Sequence, residues 1–453
     1  MRRAPTVVIV SQSSIADDPR VRRQGDALKT AGWNVIGVGL DGARGTAPDW
    51  RVLTPGDITA LCEKPTMPTI GYRTTGWRFT LIDMMSKYGN AFGVTDYDQR
   101  LLSARIDPER AETVYWTLNS VLWELLALGQ TCKADLWLGN DWTSLPIVAR
   151  LARTQGVRYA YDTHELAADE FGESRRWRIL ERPLRIAIER KFVPGAAVVS
   201  TVSHSIAKRL RSLYRLDTLP LVVRSTPKFQ PIVYRPPSSR IRVLYHGSVW
   251  QNRGLEASIR SVADWRADFD LTIRGPVSDS YRATLENEID AAGVRGRVEI
   301  APPVPMMDLV HEAAAFDIGL FALPGHSRHN QYALPNKFFE YIMAGLALCI
   351  SDLPEMSRLL RQYDLGRCIS TVEPHAIAAA INSLDRNSIA LYKRNALVAA
   401  QELNWERESQ RMVAQYSTVL ASTGEGWAEA ARCPDSCGVE DRNSNAPVAG
   451  KEC

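Results

Sequence analysis

A single rhythm constrains this chain more than any other feature. Short apolar, β-branched runs alternate with amphipathic stretches on both sides of one proline-rich segment, the pattern of parallel α/β sheets. In the first half, strands are predicted at Thr6–Val10, Asn34–Leu40, Asp135–Gly139, Arg158–Tyr161, Ala196–Thr201 and Leu219–Arg224. Helices are predicted at Arg20–Ala31 with Gly32 as its stop, at Leu145–Thr154 stopped by Gly156, and from Ser203 onward. Lys228–Arg240 (KFQPIVYRPPSSR) carries three prolines and two serines and reads as a linker. The rhythm then restarts, with strands at Arg242–Tyr245, Leu271–Arg274, Val298–Ile300, Ile318–Ala322 and Leu348–Ser351. The expected fold is α/β, two doubly wound halves facing each other across a cleft. Ligands bind at the carboxyl ends of such strands, so the cleft is the expected site.

With 453 residues, the chain has room for two or three domains of roughly 150 residues each. The expected division is a first domain over 1–230, a second over 241–403, a helix over 404–421 and a disordered tail over 422–453. The tail lacks apolar periodicity, whereas the helix carries Trp405, Met412, Val413, Tyr416 and Leu420 on one face. A stretch at about 56–130 breaks the βα rhythm and reads as a helical insertion, with Trp77, Phe79, Met84, Met85 and Tyr88 followed by a predicted helix from Asp107 to Leu128.

Composition removes several classes. A net charge of +4 is too small to predict nucleic-acid binding. No apolar run approaches the ~18–20 residues of a membrane span. The apolar core Val7–Val10 is too short for a secretory signal, so a cytoplasmic location is expected. The seven cysteines are scattered, and Cys433 and Cys437 have no second pair or nearby His to complete a metal site. Two readings stay open for the basic stretch from Arg175 to Lys191, which also holds Trp177, Ile179 and Leu184. It is a solvated face, the expected reading, or a peripheral contact with anionic lipid on the inner face of the membrane.

Among motifs, Gly37–Gly42 matches GxGxxG, but its first glycines fall inside a predicted strand and no helix opens after it. A GxxxxGK[ST] phosphate loop and a GxSxG elbow are both missing from the sequence. The segment Leu334-Pro335-Asn336-Lys337-Phe338-Phe339-Glu340 is more informative. Pro335 and Asn336 suit a helix start, whose free N–H groups and positive dipole end would receive a diphosphate. Lys337 adds a full charge in the first turn, and Glu340, one turn on, can accept hydrogen bonds from a ribose. In Tyr245–Glu256, Gly247 sits where a strand ends close to a ligand, and Arg253 could pair with phosphate. In the first half, Asp162-Thr163-His164-Glu165 lies at a strand's carboxyl end, where a neutral His beside a Glu can orient a sugar hydroxyl. Asn140 and Asp141 follow the preceding strand and read as a loop and helix cap.

Together these segments resemble the glycosyltransferases of family 4, retaining enzymes of the GT-B fold with two Rossmann-like domains. The resemblance runs over most of residues 6–420 and includes Asp18–Arg23, Asp162–Glu165, Thr201-Val202-Ser203, Val223-Arg224, Pro335–Gly345 and Ser351–Glu355. It implies that Arg253 and Lys337 hold a donor diphosphate, Glu340 its ribose, and that His164 lies against the transferred sugar. It also implies that no metal or other cofactor is needed, because these cations replace one. The chain departs from the family's pattern where Tyr332 stands for a glutamate, Ser11–Ser14 for a glycine-bearing loop, and Ser225 for an asparagine. Gly247 and Asn336 are grouped with the donor residues, Glu165 with His164, and Ser13, Asn140, Asp141 and Tyr332 with the acceptor or sugar side.

The expected function is transfer of a sugar from a UDP- or GDP-sugar to a hydroxyl on a glycan, lipid-linked or small-molecule acceptor, in cell-envelope or exopolysaccharide synthesis. The alternatives are a catalytically weak scaffold partnering another glycosyltransferase, and a nucleotide-sugar epimerase of the same architecture.

Overall fold

The computed structural model describes residues 3–43, 45–63 and 95–422. The residues noted from Trp77 to Tyr88, the expected tail beyond Ser422, and Cys433 and Cys437 lie outside them. In the first half, β1 (Thr6–Ser11), β2 (Asn34–Val38), β3 (Arg51–Leu53), β4 (Leu136–Asn140), β5 (Arg158–Thr163), β6 (Val198–Thr201) and β7 (Leu221–Val222) form a parallel sheet. Its order is β3-β2-β1-β4-β5-β6-β7. In the second half, β8 (Ile241–His246), β9 (Phe269–Arg274), β10 (Val298–Ala301), β11 (Ile318–Phe321), β12 (Ala347–Ser351) and β13 (Gly366–Ile369) are also parallel, in the order β10-β9-β8-β11-β12-β13.

The strand bodies are apolar because helices cover both faces of each sheet. Val7, Val8, Ile9 and Val10 are all fully buried, each contributing on the order of 1.5–3 kcal/mol by burial. At the carboxyl ends the composition changes abruptly. Ser11, Asn140, Asp162 and Ser200 stand in one register row across β1, β4, β5 and β6, and all four are buried. A buried polar row must be paired internally, so it marks where core gives way to site.

One expectation is corrected, and three elements were not foreseen. The helix predicted from Asp107 to Leu128 is a turn at Pro108–Arg110 and two helices, Ala111–Leu118 and Val121–Gln130. The break comes at Asn119, whose side-chain oxygen accepts the Val121 N–H (3.0 Å) and so competes with the backbone ladder. A helix at Asp96–Ile106, capped by Thr95, and the short strands β3 and β13 were not foreseen.

The helix Trp405–Ala421 follows the second half in sequence but packs on the first. Trp405, Met412 and Tyr416 join Val7 and Ile9 of β1 in one cluster, and Arg158 donates to the Val419 carbonyl (3.1 Å). Its start is stitched to the chain leaving the first half. Trp405 N–H bonds Pro227 O (2.9 Å), Phe229 N–H bonds Glu406 (2.9 Å), and fully buried Glu408 takes the Arg224 N–H (3.0 Å) and guanidinium (2.9 Å).

The halves also meet across the cleft. The helix His204–Tyr214 of the first half presents its N-terminus to the second, where Glu355 accepts the Ser205 N–H (2.6 Å) and Tyr332 O accepts the Ser203 hydroxyl (3.0 Å). Burial disfavours the Glu355 charge, but the Ser205 hydrogen bond and Arg358 outweigh it and hold the carboxyl below its usual range.

In the first half's core, fully buried Glu189 accepts from the Tyr161 and Tyr214 hydroxyls (2.7 and 2.6 Å). Burial pushes its pKa up to about 7, against the opposing hydrogen bonds of the two tyrosines and the charge of Arg185. A folded-state pKa above the unfolded one contributes stability that is full below the ordinary value of 4.5 and is lost as pH rises through about 7. Glu189→Gln should therefore flatten the stability profile across that window, removing on the order of 3 kcal/mol of pH dependence. Chemical denaturation at successive pH values checks this, and an unchanged slope in the variant contradicts it.

Candidate active site

The second half supplies a cationic corner. The helix Asn336–Met343 begins after Pro335 with no side-chain cap, leaving its first N–H groups open, and Asn336 is exposed at that end. Lys337 folds back so that its ammonium lies 3.7 Å from the Tyr245 ring centre and 4.5 Å from that of Phe321. Loss of water and then the charge of nearby Arg253 push the lysine well below its ordinary pKa, with Glu340 opposing. An added anion at this corner would relieve both effects.

Gly247 explains how a ligand could reach the corner. Its φ of +106° belongs to glycine, and a Cβ there would lie 3.3 Å from the Lys337 Cε and Nζ. Gly275 supports it from β9, since a Cβ at that residue would meet the Gly247 carbonyl at 1.9 Å. Glu340 is aimed by a residue that sequence reasoning did not single out. His246, buried at the end of β8, has Nε2 3.0 Å from Glu340 Oε2 and its ring stacked 4.8 Å from Tyr341. Burial lowers the His246 pKa, against the opposing pull of Glu340.

The first half supplies the facing wall. His164 Nε2 bonds Asn140 Oδ1 (3.1 Å) and lies 3.7 Å from Asp162 Oδ2, while Nδ1 lies 3.7 Å from Asp141 Oδ2. Asp141 reaches that position through a left-handed backbone (φ +63°), an uncommon conformation for a non-glycine residue. Asn140 is thus a partner of His164 as well as the residue before the helix.

Behind His164 stands a network that the sequence reading quoted without assigning a role. Asp162 is fully buried and takes a two-pronged ion pair from Arg20 (2.6 and 2.8 Å), with further hydrogen bonds from Gln24 (2.7 Å) and Ser200 (2.5 Å). Arg20 also donates to Val223 O and Ser225 (3.0 Å each). Burial opposes ionisation of Asp162, but the Arg20 charge and hydrogen bonds outweigh it and keep the carboxyl below its usual range. A lone Asp in a buried strand was the available signal, because such a charge needs a cation. Ser225, where the resembled family carries asparagine, thus keeps a polar partner for Arg20.

The remaining residues are placed as follows. Glu165 is half exposed and faces His329 of the second half across the cleft (3.9 Å). The Ser13 hydroxyl donates to Asp18 (2.8 Å) and bonds Ser11 (2.8 Å), below the β1 carboxyl end. Tyr332, grouped with the sugar side, packs across the cleft against the first half's apolar core, beside its carbonyl's bond to Ser203. Among the described residues no cluster of three or more His, Cys, Asp or Glu could hold a metal, and no helix is long and apolar enough to cross a membrane.

Two parallel, Rossmann-like sheets that meet across a cleft define the GT-B fold. A family described as Glycosyl transferase 4-like domain matches residues 18–225, and one described as Glycosyl transferases group 1 matches residues 240–387. Together they span most of the chain, which belongs to the glycosyltransferases of the family 4 type. No curated protein matches the sequence significantly. Solved structures share the fold at low identity. Sucrose-phosphate synthase from Thermosynechococcus elongatus is 16% identical, with a TM-score of 0.63 over 93% of this chain and all (100%) of that one. Anabaena HepE, solved with UDP-glucose, is 12% identical, with a TM-score of 0.60 over 91% and 100%. WaaG, a glycosyltransferase involved in lipopolysaccharide biosynthesis, is 14% identical, with a TM-score of 0.56 over 90% and 98%.

Proposed function

We propose that this glycosyltransferase takes a UDP- or GDP-linked sugar and transfers it, with retention, to an acceptor hydroxyl without a metal or other cofactor. The observation that carries the reading is the Lys337 ammonium, held over the Tyr245 and Phe321 rings beside an uncapped helix start, with Arg253 near enough to lower its pKa further. When the bond from the sugar to the β-phosphate breaks, negative charge grows on the departing diphosphate. Lys337, Arg253 and the N–H groups at Asn336 stabilise that charge as it develops. Glu340, aimed by His246, accepts the ribose hydroxyls. The acceptor oxygen bonds to the anomeric carbon, and its proton leaves with the phosphate. His164, fixed by Asn140 and Asp141, orients the transferred sugar. The likeness to HepE, solved with UDP-glucose, favours UDP over GDP as the first nucleotide to test.

Thermal shift against UDP, GDP and their sugar conjugates tests the reading, since a ligand of the folded state raises stability by RT ln(1 + [L]/Kd). At least one nucleotide should raise the midpoint and be released from its sugar on addition of acceptor extract. No shift with any of them sinks the donor assignment. His164→Ala should lower turnover roughly 100-fold or more with donor affinity nearly kept, because a group against the transferred sugar acts chiefly in the transition state. If only the acceptor KM rises, His164 belongs to binding.

A further inference from the structure

The first half contains a pocket that neither the donor residues nor His164 account for. A cavity of about 220 Å³ lies between the helices Asp96–Ile106, Ala111–Leu118 and Arg175–Phe192 and the carboxyl ends of β1 and β4. Its place along the chain ties it to the cleft. Gln12 on its rim directly precedes Ser13, and Trp142 directly follows Asp141, whose carboxylate is 3.7 Å from His164.

The lining has two characters. Leu101, Leu122, Leu184 and Tyr115 form an apolar floor, all at 2% exposure or less, and the Tyr115 hydroxyl is already used on the Thr143 carbonyl. The charge at the rim is cancelled within the protein. Arg185 is ion-paired with Glu170 and with Glu181 (3.5 Å), and its guanidinium lies 5.0 Å from the Trp142 ring centre. What the rim offers a ligand is therefore neutral hydrogen bonding. Gln12 has no side-chain partner among the described residues, and Asn119 uses only its oxygen, on the Val121 N–H.

An apolar floor under a neutral polar rim fits a flat body with carbon–hydrogen faces and a girdle of hydroxyls. It offers no surplus cation for a phosphate. The cavity of about 220 Å³ has room for one six-membered ring with its hydroxyls. We propose that this pocket holds a sugar ring of the acceptor, which makes the acceptor a glycan. The proposal rests on the reading of the cleft as a site of sugar transfer, and it selects one acceptor class from those the sequence left open.

Saturation-transfer NMR on the full chain tests it, with methyl glycosides of glucose, galactose, mannose and N-acetylglucosamine as probes and farnesol as the apolar comparison. The expected result is saturation of the ring protons of at least one glycoside, reduced fivefold or more in Leu122→Trp, which fills the floor. Gln12→Ala, on a loop and safe for folding, should weaken the same signal at least twofold. Saturation of farnesol alone, of no probe, or of a glycoside equally in wild type and both variants overturns the proposal. Thermal shift with UDP and GDP on the same samples separates the two readings. A nucleotide shift kept in the variants shows that they are folded. Absence of that shift in the wild type, with glycoside binding lost on filling the pocket, fails the donor assignment and leaves the pocket standing.

Discussion

Lys337→Ala is expected to weaken UDP or GDP binding by roughly 10- to 100-fold, the loss of a charge-assisted phosphate contact worth about 1.5–3 kcal/mol. Among the described residues no carboxylate lies within ion-pair distance of the lysine, and its ammonium rests on Tyr245 and Phe321. Its depressed pKa gives the prediction a second readout. Without nucleotide the lysine is neutral above that depressed value; with a diphosphate beside it, it is charged. Binding should therefore take up a proton, and affinity should fall as pH rises above the depressed pKa. Calorimetry in buffers of different ionisation enthalpy measures that uptake directly. Lys337→Met keeps the stem's packing and should lose both the affinity and the proton. Equal affinity in wild type and both variants would make the helix at Asn336 structural only.

Arg20→Ala is expected to be the most destabilising single change in the first half. It strips Asp162 of a two-pronged partner while the carboxylate stays fully buried, and such an orphaned charge costs about 3–5 kcal/mol. For a unit of this size that lowers Tm by roughly 6–20 °C. Turnover should fall beyond what the lost folded fraction explains, since Asp162 lies 3.7 Å from His164 Nε2. The double replacement Arg20→Met with Asp162→Leu should regain much of the stability and none of the activity. A Tm loss under roughly 3 °C for Arg20→Ala would mean that water reaches Asp162 after all.

These two residues also mark what sequence reading could and could not reach. Lys337 and Glu340 were legible because one helix carries them three residues apart, and local spacing alone puts them on one face. Most strand positions were legible for a similar reason: a strand buried on both faces writes its own apolar run, as Val7–Val10 does. Arg20 and Asp162 are 142 residues apart, and only the sheet order, with β1 and β4 bringing the first helix beside β5, makes them partners. His246 was hidden differently. It ends an apolar strand like any polar terminator, and nothing nearby in sequence announces Glu340 as its partner. β13 escaped because Gly366-Arg367-Cys368-Ile369 has too few apolar residues to signal an edge strand.

The chain passes between its halves twice, once in the stretch after Val223 and once on entering the helix at Trp405. These passages are not separate tethers. The Pro227 carbonyl to Trp405, Glu406 to Phe229, and Glu408 to Arg224 bind them side by side into one ribbon. A single flexible thread would let two bodies tilt, twist and slide independently. A two-stranded ribbon resists twisting and shear and leaves bending as its soft direction, as a door differs from a pendulum. Any bending between the halves must therefore carry both passages together. Across the cleft the ribbon holds Glu355 against Ser205 and Glu165 opposite His329. Changes at the ribbon would alter how often the door shuts, and changes at the cleft what it shuts upon.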